Sequence, residues 1–302
     1  MSDKLNIGIL DFGECVKRHS YSVISDLLEI VPIAEDLGFS RYWLGEHHGN
    51  GYSWRSPLVL MSVLAGLTDR IKIGSAGVAL NLHNPLRIAQ DFKILDAIYP
   101  GRIDLGLAKA IVPEIIMKAL TEKGNSSDTI ENYMKMVVDV ISFLNIDFDE
   151  NHPYKEIEIT PLTLTRPSVW LLGSNGNSTA NIARNKQTNF CLSLFHTAET
   201  ANEDVIRNLK SNYDEASDIK PEYSICVAGV CAESSLKANK LVKEHDHPNI
   251  FSKVFGNPNE CKEQLLTLQH KYDVSEIIFL DICLEKQDKI DSYQLLSQSI
   301  CL

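Results

Sequence analysis

The sequence predicts an α/β fold, a closed (β/α)₈ barrel of the TIM type, from three observations. Short apolar runs alternate with longer stretches of helical periodicity along the whole chain. The apolar runs are nearly continuous, which is typical of parallel strands covered by helices. Eight strand–helix units within 302 residues fit one closed barrel, so we expect residues 1–302 to form a single domain. A doubly wound open sheet is the alternative, but no Gly-x-Gly-x-x-Gly fingerprint follows the first strand.

The first half of the chain supplies four of these units. In the first helix, "SVISDLLEIVPIAEDLGF", Gly38 is a C-cap and Pro32 predicts a kink or a break. The next two helices, "SPLVLMSVLAGLT" and "NPLRIAQDFKILDAIYPG", have Ser56 and Asn84 as N-caps, each followed by proline. The four predicted strands are "NIGIL" (6–10), "RYWLG" (41–45), "RIKIGS" (70–75) and "RIDLGLA" (102–108).

The second half continues the pattern after a helix predicted over 130–144. Residues 151–166, "NHPYKEIEITPLTLTR", alternate in polarity and predict a small hairpin insertion. The remaining predicted strands are "VWLLG" (169–173), "FCLSLF" (190–195), "EYSICVAGVC" (222–231) and "EIIFLDI" (276–282). Helices are predicted from "STANIARN", near 198–216, near 234–244 and over 257–272, with a short closing helix at the end.

Composition excludes several classes of function. The formal net charge of −11 argues against a nucleic-acid partner, which would require a basic face. No apolar run reaches the roughly 18 residues needed to cross a bilayer, so we expect no membrane partner. Seven cysteines at no metal-like spacing indicate reduced thiols and a cytoplasmic protein.

The chemically unusual residues follow the predicted strands, at the end of a barrel where active sites form. After the second strand come Glu46, His47 and His48; after the third, Ser75, Ala76 and Gly77; after the fourth, Lys109; and after the fifth, Ser174, Asn175, Gly176, Asn177 and Ser178.

Residues 173–178, "GSNGNS", end a strand and open a helix. Free N–H groups at a helix N-terminus suit a phosphate, and Lys109 could supply the balancing charge. An ordinary strand-to-helix turn with a Ser or Asn cap is equally compatible with this stretch.

The adjacent histidines His47 and His48 suit hydrogen bonding and acid–base chemistry better than metal binding. Successive side chains on a strand point to opposite faces, and no Cys or His spacing elsewhere completes a metal site, so no metal is expected. Two histidines packed at the barrel rim remain the simpler alternative.

Four stretches together carry a resemblance to a known family: "RYWLGEHH", "RIKIGSAGVALNLHNPLRIAQDFKILDAIYPGRIDLGL", "WLLGSNGNSTANIA" and, near the end, "IIFLDI". In order and separation they resemble the bacterial luciferase-like flavin-dependent monooxygenases. The resemblance implies a (β/α)₈ barrel that binds reduced FMN or, in some branches, a deazaflavin. It implies that His47 is catalytic, with Glu46 and His48 in support, and that a non-prolyl cis peptide joins Ala76 to Gly77. It also places phosphate binding on Lys109 and on Ser174, Asn175, Gly176, Asn177 and Ser178.

The chain departs from the family pattern in three places. Ala108-Lys109 replaces the usual Gly-Arg, so the phosphate would meet a point charge instead of a fork and bind more weakly. Luciferase has a reactive cysteine at the position of Ala108. Residues 232–256 are too few for luciferase's long lid. We therefore expect no light emission, and a site open to bulky or carrier-bound substrates.

The sequence thus predicts a flavin-dependent monooxygenase that uses reduced FMN and O₂ to oxygenate a small or carrier-bound organic substrate. A separate flavin reductase and a homodimer are expected, with His47 handling protons at a pKa near working pH. A deazaflavin-dependent oxidoreductase and a non-catalytic flavin-binding protein are the alternatives.

Overall fold

The computed structural model describes residues 5–121, 129–174, 177–186, 188–196, 203–211, 220–245, 247 and 250–302. Its strands are β1 Asn6–Asp11, β2 Arg41–Leu44, β3 Lys72–Ala79, β4 Ile103–Ala108, β5 Ser168–Gly173, β6 Asn189–Ser193, β7 Tyr223–Cys231, β8 Ser252–Gly256 and β9 Glu276–Asp281. Its helices are α1 Ser20–Asp36, α2 Pro57–Gly66, α3 Pro85–Ile98, α4 Glu114–Leu120, α5 Ile130–Asn145, α6 Asn177–Lys186, α7 Asp204–Ser211, α8 Ser235–His245, α9 Pro258–Tyr272 and α10 Lys286–Ile300.

The strands form a parallel barrel, which confirms the predicted fold. Neighbours run in the order β6-β5-β4-β3-β2-β1-β9-β7, and β7 also pairs with β6, so eight strands close on themselves. The ninth strand, β8, pairs with the last four residues of β7, outside this closed set. Because all pairings are parallel, the carboxyl ends of the strands share one end of the barrel.

Apolar side chains pack in two layers that the alternation along each strand creates. On β2, Tyr42 and Leu44 face the surrounding helices and belong to the larger cluster between sheet and helices. Trp43, between them, belongs to the cluster inside the barrel. The inner cluster combines small side chains such as Ala76 and Ala228 with the aromatic rings of Phe12 and Phe195, which follow β1 and β6.

The predicted hairpin over 151–166 is wrong. This segment contains turns and bends but no strand, and a cis peptide bond joins Thr160 to Pro161. The alternating apolar residues do not cover a sheet face, since Leu162 and Leu164 are exposed. Instead Lys93 of α3 donates to the carbonyls of Thr163 and Thr165, so the segment packs as an irregular loop.

Several boundaries also differ from the prediction. The strand expected to end at Ser75 continues as β3 to Ala79, and β8 and α4 were not predicted. Helix α1 runs unbroken through Pro32, whose missing N–H interrupts only one hydrogen bond. The closing helix, α10, has 15 residues and is not short. Within the described parts of the chain, no helix combines the length and apolarity needed to cross a membrane.

A buried ion cluster fills the barrel at the N-terminal ends of its strands. Arg41, at the start of β2, donates to Asp104 of β4 at 2.8 Å and to Glu276 of β9 at 2.9 Å. Trp43 donates to the same oxygen of Asp104, and the guanidinium stacks 4.6 Å from the Trp170 ring. Burial alone would lower the pKa of Arg41, but the carboxylates of Asp104 and Glu276 raise it, so the guanidinium stays protonated.

We predict that Arg41→Ala lowers the free energy of unfolding by about 3–5 kcal/mol, because it leaves the carboxylate of Asp104 buried without its cation. Urea unfolding followed by circular dichroism measures the change. Arg87→Ala, at an exposed position of α3, is the matched control and should change it by less than about 0.5 kcal/mol. Equal effects of the two substitutions would contradict a structural role for the cluster.

Candidate functional site

The candidate site lies where the strands end, and it is organised by one buried carboxylate. Glu46 follows β2, and its side chain is only 2 % exposed. Its Oε1 is 2.7 Å from Nε2 of His48 and 2.7 Å from Nε2 of His83. Its Oε2 accepts the backbone N–H of Ala79 at 3.0 Å. One side chain therefore ties the end of β2 to the end of β3.

These contacts determine the charge of Glu46 and the tautomers of its partners. Burial tends to raise the pKa of Glu46, but the hydrogen bonds from His83, Ala79 and His48 outweigh it and lower the pKa. The carboxylate is thus ionised near neutral pH and can only accept. His48 and His83 must each carry a proton on Nε2 to donate to it.

His83 was missed in the sequence, although its context contained a signal. It lies in "NLHNP". A single turn of 3₁₀ helix, Leu80–Leu82, separates it from β3, and the N-cap of α3, Asn84, follows it directly. A polar residue between a strand end and a capped helix lies at the active end of a barrel. Only the fold shows that it shares a carboxylate with His48.

His47 has different surroundings from His48. Its half-buried ring stacks on Tyr52 at 4.7 Å and meets Phe12 edge-on at 4.4 Å. Burial, together with the positive charges that His196 and His247 can carry, lowers its pKa to about 4, against weaker opposition from Glu14 and Glu46. The expectation of a pKa near working pH is therefore wrong, and His47 is a neutral imidazole at neutral pH.

The peptide bond between Ala76 and Gly77 is cis, as the resemblance implies. It lies within β3, where the pairing with β4 shifts between Ser75 and Val78. A Cβ on Gly77 would lie 2.8 Å from Leu172 and 3.0 Å from the backbone N of Ala108, and one on Gly106 would lie 2.1 Å from the carbonyl oxygen of Ser75. The two strands therefore approach too closely for side chains at these glycines.

Lys109 follows β4 immediately, one strand away from the cis peptide, and is half-buried. The chain beyond it is held by Asn81, whose side chain donates to the carbonyl of Ala110 at 3.0 Å and accepts its N–H at 2.9 Å. Ala79 pairs with Ala108, so Lys109 stands beside the end of β3. The backbone at Lys109 is thereby fixed next to the strand that carries the cis peptide bond.

The predicted phosphate loop is only partly described. Ser174 is exposed at the end of β5, and Asn175 and Gly176 lie outside the described residues. Asn177 and Ser178 begin α6, so a helix N-terminus does follow the strand. Anion binding by Ser174, Asn175, Gly176, Asn177 and Ser178 stays a prediction.

The described residues fit a flat aromatic ring with an anionic tail. Ala76 is half-buried and packs against the inner cluster, while buried Gly77 leaves no room for a side chain between its own strand and β4. Lys109 supplies a cation at the neighbouring strand end. Among the residues that the structure describes, no three His, Cys, Asp or Glu side chains come together in a group that could hold a metal ion.

Comparison with known sequences identifies related proteins over most of the chain. The family model described as luciferase-like monooxygenase matches residues 5–272. A protein of Escherichia coli (strain K12) named luciferase-like monooxygenase is 31% identical, covering 80% of this chain and 71% of its own length. YwcH of Bacillus subtilis (strain 168), named as uncharacterised, is 28% identical and covers 98% of this chain and 99% of its own.

Solved structures share the fold at low sequence identity. Apo-MsnO8 superposes with a TM-score of 0.85 at 23% identity and covers 99% of both chains. The oxygenating constituent of 3,6-diketocamphane monooxygenase from Pseudomonas putida, in complex with FMN, has a TM-score of 0.75 at 15% identity and covers 98% of both chains. An F420-dependent secondary alcohol dehydrogenase has a TM-score of 0.66 at 15% identity, covering 98% of this chain and 99% of its own.

We predict that Glu46→Gln destabilises the protein by about 1–3 kcal/mol at pH 7, because a neutral amide accepts the histidine protons more weakly than a carboxylate does. The pKa of Glu46 is lowered on folding from its ordinary value of 4.5, so the stability that ionisation contributes is present above pH 4.5 and is lost below it. The difference between wild type and variant should therefore shrink as the pH falls below 4.5. Glu150→Gln, whose side chain is 90 % exposed, is the control. A difference that stays constant from pH 7 to pH 3 would exclude the charged form as its source.

Proposed function

The chain belongs to the luciferase-like monooxygenase family, and on that premise we propose that it uses reduced FMN and O₂ to oxygenate a small or carrier-bound organic substrate. Membership makes it an enzyme, and not the non-catalytic flavin-binding protein that the sequence left open. The observation that supports the proposal is the arrangement on three neighbouring strands: His47 after β2, the cis Ala76–Gly77 bond in the second half of β3, and Lys109 after β4. Reduced flavin, when bound, would supply the electrons for O₂ activation.

In this proposal each residue has a distinct task. Ala76 and Gly77 support the flavin ring, and Lys109 with Ser174, Asn175, Gly176, Asn177 and Ser178 binds its phosphate. Neutral His47 accepts a proton or a hydrogen bond at a ring nitrogen. Glu46 holds His48 and His83 in place. Phe12 and Tyr52 keep water from the His47 ring.

A deazaflavin remains the second candidate cofactor, because one structural neighbour is an F420-dependent enzyme. The same platform of Ala76 and Gly77 could support either ring. Absorbance titrations of the purified protein with FMN and with a deazaflavin would separate the two. Incubation of a substrate panel with reduced FMN, a flavin reductase and ¹⁸O₂, followed by mass analysis, tests the oxygenation itself; a product without ¹⁸O would overturn it.

We propose that the protein forms a homodimer. We also propose that it acts in the cytoplasm, where a separate reductase supplies the reduced flavin. Three exposed apolar residues, Val59, Val63 and Leu67, follow one another at four-residue spacing along α2 and its C-cap, and Ile94 and Ile98 do so on α3. A two-fold axis could bury such a stripe against itself. Light scattering during size-exclusion chromatography measures the mass, and a monomer would contradict the dimer.

We also propose that residues 1–302 act as one domain.

We predict that wild-type protein binds FMN about ten- to a hundred-fold more tightly than riboflavin, the range for one charge-assisted contact. Lys109→Ala should weaken FMN binding by this factor and leave riboflavin binding nearly unchanged. Fluorescence titration measures both affinities. Lys118→Ala, nine positions further on and on exposed α4, is the matched control and should change neither. Equal affinities for FMN and riboflavin in the wild type would show that the phosphate site is misplaced.

We predict that His47→Ala reduces turnover of the substrate found in the ¹⁸O₂ screen by about 10²–10⁴-fold, the range typical of general acid–base groups. The melting temperature should change little, because the half-buried ring lies at the barrel rim. Since neutral His47 is the active form, wild-type activity should fall as the pH drops through about 4 and not through 6.5. His270→Ala, at an exposed position of α9, is the control. Lost stability with intact turnover per folded molecule would make His47 a packing residue.

A further inference from the structure

The His47 ring lies between two aromatic side chains that come from different parts of the chain. Phe12 follows β1, is buried, and meets the imidazole edge-on at an interplanar angle of 72°. Tyr52 follows β2 and lies almost parallel to the imidazole, at 20° and 4.7 Å between ring centroids. Phe12 contacts the inner cluster of the barrel, whereas Tyr52 covers the imidazole from the half-buried rim.

Backbone hydrogen bonds fix the position of the segment that carries Tyr52. An antiparallel bridge pairs Glu14 with Tyr52. On either side of it, the N–H of Cys15 donates to the carbonyl of Gly51 and the N–H of Ser53 donates to the carbonyl of Gly13, both at 2.7 Å. The segments after β1 and after β2 are thus joined, and the Tyr52 ring is directed over His47.

A neighbouring residue provides the packing that anchors this segment. Trp54 is buried, and its indole N–H donates to the carbonyl of Gly45 at 3.1 Å. Gly13, at a φ of 68°, approaches the Trp54 ring so closely that a Cβ there would lie 2.5 Å from it. Trp54 thus anchors this segment in the cluster between sheet and helices, independently of Tyr52, which packs against the inner cluster.

The hydroxyl of Tyr52 makes a weaker contact than its ring does. It lies 3.4 Å from Nε2 of His247, near the upper limit for a hydrogen bond. His245, two residues earlier, is held separately by Glu14 at 3.0 Å. The main contact between Tyr52 and the site is therefore its ring stacked on His47, and not its hydroxyl group.

We propose that Tyr52 is a positioning residue, whose stacked ring fixes the plane of the His47 imidazole and shields one of its faces from water. This inference deepens the proposed function, on which it rests, because it explains how His47 presents one ring nitrogen in a constant direction. Aromatic pairs of this kind contribute beyond the area that they bury. A ring with one face covered also stays less hydrated, which favours its uncharged form.

The first test requires no ligand. In protein labelled with ¹³C at the histidine Cε1, the His47 signal is identified by its absence in His47→Gln. A tyrosine ring stacked on the imidazole displaces this signal upfield, and Tyr52→Leu should remove the displacement. The midpoint of the His47 titration should also rise toward 6.5 in Tyr52→Leu, because water then reaches the ring.

Two further variants separate the stack from other effects. Tyr52→Phe keeps the ring and loses only the hydroxyl, so it should retain the displaced signal and the low midpoint. Tyr154→Leu removes a different stacked tyrosine, 5.7 Å from Phe143 and partly exposed, and should leave the His47 signal unchanged. Other titratable groups act on the charge of His47 and remain in every variant: Glu14 after β1, Glu46 beside it, His196 after β6 and His247 after the end of α8. His48 and His245, which also remain, contact Glu46 and Glu14 respectively.

The outcomes decide the inference in either direction. An unchanged His47 signal and midpoint in Tyr52→Leu would overturn it, and so would a Tyr52→Phe protein that behaves like Tyr52→Leu, since the hydroxyl would then be responsible. Oxidised FMN is the probe for the proposed function. If FMN leaves the His47 signal of the wild type unmoved, the assignment of His47 to a flavin site fails, while the ligand-free comparison of Leu and Phe variants still decides the role of Tyr52.

Discussion

The ion pair between Arg41 and Asp104 is the constraint on which the barrel depends. A closed ring of eight strands leaves an interior that must be filled, and here its N-terminal end is filled by charge. The guanidinium reaches carboxylates on β4 and β9, so a single side chain spans the ring. The indole rings of Trp43 and Trp170 pack against the guanidinium and against each other. The opposite end carries the buried carboxylate Glu46 and its hydrogen-bond partners.

At that opposite end Glu46 plays a comparable part. It gathers donors from two neighbouring strands and so holds the ends of β2 and β3 together beside the cis peptide. In this arrangement the two adjacent histidines have different environments. His48 is turned to the carboxylate, while His47 lies between aromatic rings with a lowered pKa. Glu46 therefore holds only His48 of the pair, and His47 is the one to which we assign a reactive role in the proposed function.

The repeated strand–helix pattern predicted the barrel because each buried strand is a nearly continuous apolar run, and caps such as Asn84 mark where helices begin. The pattern failed where polarity alternates without a sheet to cover, as in residues 151–166, where prolines and contacts with Lys93 determine the course of the chain. It also missed β8, a strand of five residues that pairs only with the end of β7.

For the candidate site, sequence reasoning located Glu46, His47, His48 and Lys109 at strand ends, because a parallel barrel places those ends together. It expected Ala76 and Gly77 just after the third strand, but they lie inside β3, which continues to Ala79. It could not assign His83 to Glu46, since the two are far apart along the chain and meet only through the ends of β2 and β3. It also misjudged the pKa of His47. That value depends on burial and on His196 and His247, which approach from distant segments.

The pairing of β1 with β9 bears on how the chain is made. The first strand forms ladders with β2 on one side and with β9 on the other, and the partner residues of β9 are Glu276 to Leu280. A nascent chain on the ribosome therefore carries an unpaired edge on its first strand until β9 has emerged. Glu276 is also a partner of Arg41, so the buried cation lacks one of its carboxylates during the same interval. Exposed edges and unpaired charges promote aggregation of incomplete chains, and the pairing of β1 with β9 removes both features at once.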